Sequence, residues 1–358
     1  MNSNYLPGGI SMKTVLAMII VFTGGLLATQ TVQTQGFGEV GPTTAQIIER
    51  GELICGVNSS LPGFSLLDEV NRTYVGFDVD ICRAVAAAIL GDADAVSYRE
   101  VNATERADVL ASGEVDLLSR NTTWTLDRDT GWDVTFAPIV FFDGQGLMVQ
   151  AESGIESISD LDSTTICTNS GTTTEQNIND MMTVMGFAFT LQTYEELSAA
   201  YEGFFNGECD VMTTDRSGLI AQRAVSRNPG RLVILDDVLS KEPLSPATAQ
   251  NDPHFADVVR WTIYGMINAE ELEITSENLD TFMESDSPAI QRLLGIGGTP
   301  SGDYLGIPND FMVTVLGQVG NYGEVYARNL GPDTPYDLPR GLNNLYTNGG
   351  LIYAPPFR

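Results

Sequence analysis

The chain has 358 residues, 43% of them apolar and 18% charged, which is a globular balance with enough length for two cores. Its 47 acidic residues against 18 Lys and Arg leave a formal net charge of −29, which excludes a nucleic-acid backbone or an anionic membrane surface as partner. Only Lys13 and Lys241 are lysines, and with the acid excess that bias suggests a saline source.

In chain order, Met12-Lys13 precedes an apolar run over residues 14–28 and then small and polar residues up to about 35. The run is short for a membrane span and fits a secretory signal peptide over residues 1–35. No second run of membrane length follows, which disfavours a membrane-anchored sensor. Strands are predicted over residues 53–57 and 75–77, then a helix over about 78–90 capped by Asp78, with Ile81, Val85, Ala88 and Ile89 facing inward. Thr104 is expected to cap a second helix that stops near Gly113, before a strand over 115–118. Residues 136–142 and 146–149 read as an extended pair that leaves the first lobe.

A second α/β unit follows, with strands at 165–168, 189–192 and 211–213 and helices at 176–185, 195–205 and 218–226. Residues 232–235 and 239–249 carry the chain back, and a helix over 255–271 returns to the first lobe with Val258, Val259, Thr262, Met266 and Ile267 inward. A single excursion gives two crossing strands, and hence a hinge. The expected domains are therefore 36–148 plus 238–284 for lobe 1 and 149–237 for lobe 2. Residues 285–358 form a Gly-, Pro- and Asn-rich extension packed on the body, with helical patterns at 311–324 and 341–348.

The two lobes repeat one phrase, Gly113-Glu114-Val115-Asp116 and Gly207-Glu208-Cys209-Asp210, each opening a short strand. Eight residues past each glycine stand Asn121 and Asp215, at strand ends where ligands bind in open α/β sheets. Asn121 begins a run of hydroxyl residues, including Thr123, that ends in Arg128, a guanidinium able to hold a carboxylate bidentately. The rival reading is a plain helix start, with Thr125 capping and Arg128 solvated. Gly171-Thr172-Thr173 supplies a glycine turn, hydroxyls and a helix N-terminus that favour an anion, and Asp215 supplies a negative charge for an ammonium. Together these residues describe a zwitterion site.

Cys55, Cys82, Cys167 and Cys209 fall two to each expected lobe. In an exported chain they read as disulfides; of the three connectivities, Cys55 with Cys82 and Cys167 with Cys209 are natural if the lobes are separate units. Zinc fails on spacing, because no Cys-x-x-Cys exists and His254 is the only histidine. No metal or other cofactor is expected, and no nucleophile, zincin or phosphate-loop motif is present.

Gly76-Phe77-Asp78-Val79-Asp80-Ile81, with Val85, Ala86 and Ile89 behind it, resembles the signature of family 3 extracellular solute-binding proteins. The resemblance spans about residues 49–284, and through Asn321-Tyr322-Gly323-Glu324-Val325 and Gly349-Gly350-Leu351-Ile352 it extends to the general L-amino-acid-binding branch of proteobacterial ABC importers. It implies a two-lobed type II periplasmic binding fold of α/β class with a discontinuous first lobe and two hinge strands. The implied partners are an L-amino acid and membrane permease subunits, and the implied setting is the periplasm, with the chain a monomer.

The same resemblance assigns Arg128, Thr123 and Thr173, with Thr172 in the same loop, to the ligand's α-carboxylate, Asp215 to its α-ammonium, and Asn121 to a ligand contact. Asn58 stands where relatives that take basic amino acids carry aspartate, and Leu61 where an aromatic often stacks; with Phe64 they are the candidates for the side-chain pocket. Neutral and acidic amino acids are thus at least as well suited as basic ones. The competing expectation is an enzyme on the same fold, a dehydratase or a cell-wall lytic enzyme. Glu284 and Glu324 would be its acid candidates, but neither lies in a segment resembling a lysozyme-like domain and an isolated glutamate is far more often surface or structural; His254 fits a helix start better than a base.

Overall fold

The computed structural model describes residues 39–358, so the predicted signal peptide over 1–35 lies outside the described residues. Helix α1 (Pro42–Arg50) leads into β1 (Leu53–Val57), a small meander of β2 (Ser60–Leu61), β3 (Ser65–Asp68) and β4 (Thr73–Val75), and then α2 (Phe77–Leu90). β5 (Val96–Glu100), α3 (Arg106–Ala111), β6 (Leu117–Leu118), α4 (Leu126–Gly131) and β7 (Val134–Phe136) follow. Four of these strands and a late one, β15 (Ala247–Ala249), make a five-stranded sheet in the order β5-β1-β6-β15-β7.

β8 (Phe141–Asp143) and β9 (Gln145–Gln150) take the chain out of that sheet. The second unit comprises β10 (Thr164–Asn169), α5 (Thr173–Met185), β11 (Phe189–Tyr194), α6 (Leu197–Phe205), β12 (Val211–Asp215), α7 (Arg216–Val225) and β13 (Leu232–Ile234). Its sheet order is β11-β10-β12-β9-β13. β9 pairs with β12 from Gln145 opposite Asp215 to Val149 opposite Val211, so the strand lies wholly in the second sheet and the crossing falls just before residue 145. The chain returns through β14 (Glu242–Leu244), which runs antiparallel to β8, and then through β15 (Ala247–Ala249). Thus β8 and β14 are the two crossing segments, hydrogen-bonded to each other.

α8 (Pro253–Glu271), α9 (Pro288–Leu294), α10 (Phe311–Gln318) and α11 (Tyr322–Leu330) complete the chain. Val258, Val259, Thr262, Met266 and Ile267 of α8 are buried, and a side chain at Gly265 would meet Met312 Sδ at 2.3 Å, so α10 lies directly against α8 there. The tail also braces a crossing strand: Phe142 N donates to Asn343 Oδ1 at 2.6 Å, and Tyr322 Oη donates to the Val140 carbonyl at 2.8 Å. Cys55 is bonded to Cys82, tying β1 to α2, and Cys167 to Cys209, within the second unit.

Several boundaries depart from the sequence reading. α2 starts at Phe77 rather than Asp78, because Gly76 (φ 135°) makes the turn; a Cβ there would lie 2.2 Å from the Phe64 carbonyl oxygen. Asp78 is therefore no cap; it is buried within the first turn. Thr104 does not cap α3 either, since its hydroxyl bonds Asn102 at 2.9 Å. The single helical pattern at 311–324 is two helices, broken at Gly320 (φ 92°), after which Asn321 and Glu324 form a capping box. Residues 341–348 hold only two 3₁₀ turns, Gly341–Asn343 and Tyr346–Asn348. Among the described residues no helix is long and apolar enough to cross a membrane.

Candidate ligand-binding site

The carboxyl ends of parallel strands in both sheets face one small cavity, the position where open α/β sheets bind ligands. It is lined from the first sheet by Asn58, Arg106, Arg120, Asn121, Thr123 and Arg128, and from the second by Asn169, Thr172, Thr173, Thr174, Leu197, Thr214 and Asp215. Its volume is about 20 Å³, room on the order of one water, so an amino acid enters only as the walls part. Bonds join the two walls directly: Arg106 Nη2 donates to the Gly171 carbonyl at 3.1 Å and Asn121 Nδ2 to Asp215 Oδ2 at 3.3 Å.

At Arg128 one half of the plain helix-start reading holds and the other does not. Thr125 caps α4 by accepting from the Arg128 N–H at 3.4 Å, yet the Arg128 side chain is buried rather than solvated. Its Nη1 donates to the Thr123 carbonyl at 3.0 Å, and its guanidinium lies 5.0 Å from the Trp132 ring centre. Burial pulls its pKa down, with nearby Asp127, Glu242 and Asp215 opposing. Arg106, held by the Ala103 carbonyl, shares the Trp132 ring at 5.4 Å. Arg120 donates from Nε to the Val101 carbonyl at 2.6 Å, and burial lowers its pKa to about 10. Among the described residues none of these three arginines forms an ion pair.

Asp215 ends β12, buried, and burial first, then the carboxylates of Asp143 and Glu242, push its pKa well above the usual range. Asn121 sits beside it in a left-handed turn (φ 31°), its N–H bonded to Asp78 Oδ2 at 2.9 Å and its Oδ1 buried without a partner. Asp215 and Asn121 Oδ1 together offer acceptors to an ammonium. Burial also raises Asp78, to about 7.

The hydroxyls turn out differently engaged. Thr123 Oγ1 and Thr173 Oγ1 both donate to Glu242 Oε2, at 2.6 and 2.9 Å, while Asn177 Nδ2 donates to Glu242 Oε1 at 3.0 Å. A hydroxyl has one proton. Donors left for a carboxylate in the cavity are then the guanidinium groups of Arg128, Arg106 and Arg120 and the N–H groups of Thr173 and Thr174 in the first turn of α5, which the helix itself does not use. Thr172 caps that helix, accepting from the Glu175 N–H at 3.2 Å.

The structure thus brings together Arg128, Thr123, Asn121, Thr172, Thr173, Asp215 and Asn58, but not Leu61 or Phe64. Leu61 is buried against α7, 3.2 Å from where a side chain on Gly218 would stand. Phe64 packs in the core with its ring 5.1 Å from Phe141 and 6.1 Å from Phe77, and the turn at Gly76 lies directly against its carbonyl. Sequence reasoning missed Arg106, Arg120, Asn169, Leu197 and Glu242. Arg120 precedes Asn121 directly and was legible as a strand-end cation; Glu242 carried no local signal. Glu324, the kind of isolated glutamate that is more often structural than catalytic, is engaged in the capping box and with Ser276.

Two α/β units joined by two crossing strands around a strand-end cavity define a two-lobed solute-binding fold. The chain belongs to the bacterial extracellular solute-binding proteins, family 3, whose pattern it matches over residues 53–279. It is 44% identical over 317 residues to the general L-amino acid-binding periplasmic protein AapJ of Rhizobium johnstonii, covering 88% of this chain and 93% of that one. The glutamate/glutamine/aspartate/asparagine-binding protein BztA of Rhodobacter capsulatus is similar to the same degree, 44% over 317 residues, with 88% and 93% covered. Among solved structures, an ABC transporter periplasmic binding protein from Brucella ovis with glutathione bound superposes with a TM-score of 0.86 at 43% identity, covering 88% of this chain and 99% of that chain. These relatives are named as binding proteins, and the chain is a binding protein rather than an enzyme.

Proposed function

We propose that this chain is the periplasmic solute-binding component of an ABC importer, which takes an L-amino acid between its two lobes and delivers it to membrane permease subunits. The observation that carries this reading is one pair of buried ionic groups facing one cavity and, among the described residues, without ion-pair partners: Arg128 from the first lobe and Asp215 from the second. Their charges match an α-carboxylate and an α-ammonium, and because they come from opposite walls the ligand favours the closed arrangement. Lobe 1 comprises the first sheet with α8, lobe 2 the second sheet, and residues 285–358 an extension braced on both the first lobe and the crossing strand β8. Broad side-chain tolerance is supported by the likeness to a relative named for general L-amino-acid binding. The chain acts as a monomer and is exported by the segment over residues 1–35.

The test is calorimetric titration of ligand-stripped, refolded protein beside Arg128→Ala. The variant is expected to lose at least about 100-fold in affinity for every L-amino acid bound by the parent, the scale of losing a charged hydrogen-bonding partner in a buried site. Unchanged affinity would remove Arg128 from the α-carboxylate.

A further inference from the structure

The first crossing segment carries backbone groups that its partner strand does not pair. In the ladder of β8 with β14, Phe142 stands opposite Pro243, which has no N–H and gives its carbonyl to the Trp124 N–H at 2.9 Å. The N–H and carbonyl of Phe142 are taken instead by one side chain of the C-terminal extension. Asn343 Oδ1 accepts from Phe142 N at 2.6 Å, and Asn343 Nδ2 donates to the Phe142 carbonyl at 3.2 Å. At this residue the amide does what a third strand would do.

Asn343 is buried and is itself fastened to the first lobe. Its carbonyl accepts from Arg340 Nε at 3.0 Å and Nη2 at 2.9 Å, and the same guanidinium pairs with Glu270 of α8 and lies 5.2 Å from the ring centres of both Tyr322 and Tyr326. Those two rings also reach β8. Tyr322 Oη donates to the Val140 carbonyl at 2.8 Å, and Tyr326 stacks on Phe141 at 6.1 Å with 6° between the planes. Residues 140–142 are thus held by the extension and, through Glu270, by α8. The next two residues are held by the other lobe: Asp143 accepts from the Ser217 hydroxyl of α7, and the Gly144 carbonyl accepts from the Arg216 N–H at 2.8 Å. The attachment changes lobes between Phe142 and Asp143.

We infer that Asn343 is a positioning residue of the hinge: resting on the closure of the lobes proposed above, it holds β8 to the first lobe through Phe142 and confines the bend to the Phe142–Asp143 junction. A hinge absorbs its motion in a few residues when the flanking ones are held. A released β8 has more open arrangements available, so the closed form is less populated before a ligand binds. Apparent affinity then falls by one factor for every amino acid, because Asn343 is not among the residues that line the cavity.

The experiment compares the parent with Asn343→Leu, which keeps the size of the side chain and removes both bonds, and with Tyr322→Phe, which removes only the bond to Val140. Amide-resolved hydrogen exchange is run with and without an L-amino acid that the parent binds. In the parent, ligand is expected to change protection at Asp143 and Gly144 and not at Phe142. In Asn343→Leu the Phe142 N–H is expected to exchange at least about tenfold faster and to become ligand-dependent, and affinity to fall about three- to tenfold for all amino acids with their order kept. X-ray scattering of the ligand-free variant is expected to give a larger radius of gyration than the parent. Tyr322→Phe is expected to move the same readouts in the same direction by less, which keeps the test open if Asn343→Leu does not fold. Ligand-dependent protection at Phe142 in the parent, or a ligand-free radius of gyration unchanged in every variant that folds, overturns the pivot. A parent that binds no L-amino acid overturns the amino-acid reading, and the ligand-free scattering still decides the pivot.

Discussion

Asp215 shows what a binding residue costs the empty fold. Its carboxylate is buried, faces Asp143 and Glu242, and among the described residues has only the amide of Asn121 as a close donor. An uncompensated buried charge destabilises until its partner arrives. Asp215→Asn is therefore expected to raise the unfolding midpoint of the unliganded protein while lowering amino-acid affinity about 100-fold or more. Thermal unfolding and titration of the same preparation check both halves, and a fall in both would contradict the argument. Asp78 titrates for a related reason, since burial pushes it up to about 7. A carboxyl raised in the folded state binds its proton more tightly there, so its contribution to stability is full at low pH and is lost as pH rises through about 7. Asp78→Asn should flatten the decline of the unfolding midpoint between about pH 4 and 7. An unchanged slope would place that titration elsewhere.

At the scale of elements, β14 is the informative segment. It is three residues long and brings Glu242 to hydroxyls on both walls, Thr123 beyond β6 and Thr173 at the start of α5. Glu242→Ala is expected to weaken binding of all amino acids together by about tenfold, without reordering them, because it loosens the closed arrangement. A reordered panel would mean that Glu242 touches the ligand side chain. This residue also marks where reading the chain stops. The strand end at Asp215 and the cap at Thr125 were legible because local chemistry specifies them, whereas the caps expected at Asp78 and Thr104 were not the ones the helices use. The partner of Thr123 stands 119 residues away, and only tertiary structure brings it there. Phe64 and Leu61 were misplaced for the same reason. A hydrophobic residue after a strand packs equally well into a core or a pocket, and tertiary contacts decide, Phe64 lying against Phe77 and Phe141 and Leu61 beside Gly218. The α10–α11 break was readable in Gly320 and Asn321, a glycine and a cap inside one apolar pattern.

For the whole molecule, charge and closure are the governing features. With 47 acidic residues against 18 Lys and Arg, self-repulsion opposes compaction, and screening relieves it. The unfolding midpoint should rise as sodium chloride increases from low levels to about 1 M; a steady fall would show that specific ion pairs outweigh net repulsion. Closure draws on the same cavity that a ligand must enter, since bonds such as Arg106 to Gly171 and Asn121 to Asp215 span it. The most direct test of the central claim is calorimetric titration of ligand-stripped protein with a panel of L-amino acids, followed by mass spectrometry of the recovered ligand. One amino acid should bind per chain and return unaltered; absence of binding across the panel, or chemical turnover of the ligand, would contradict the account.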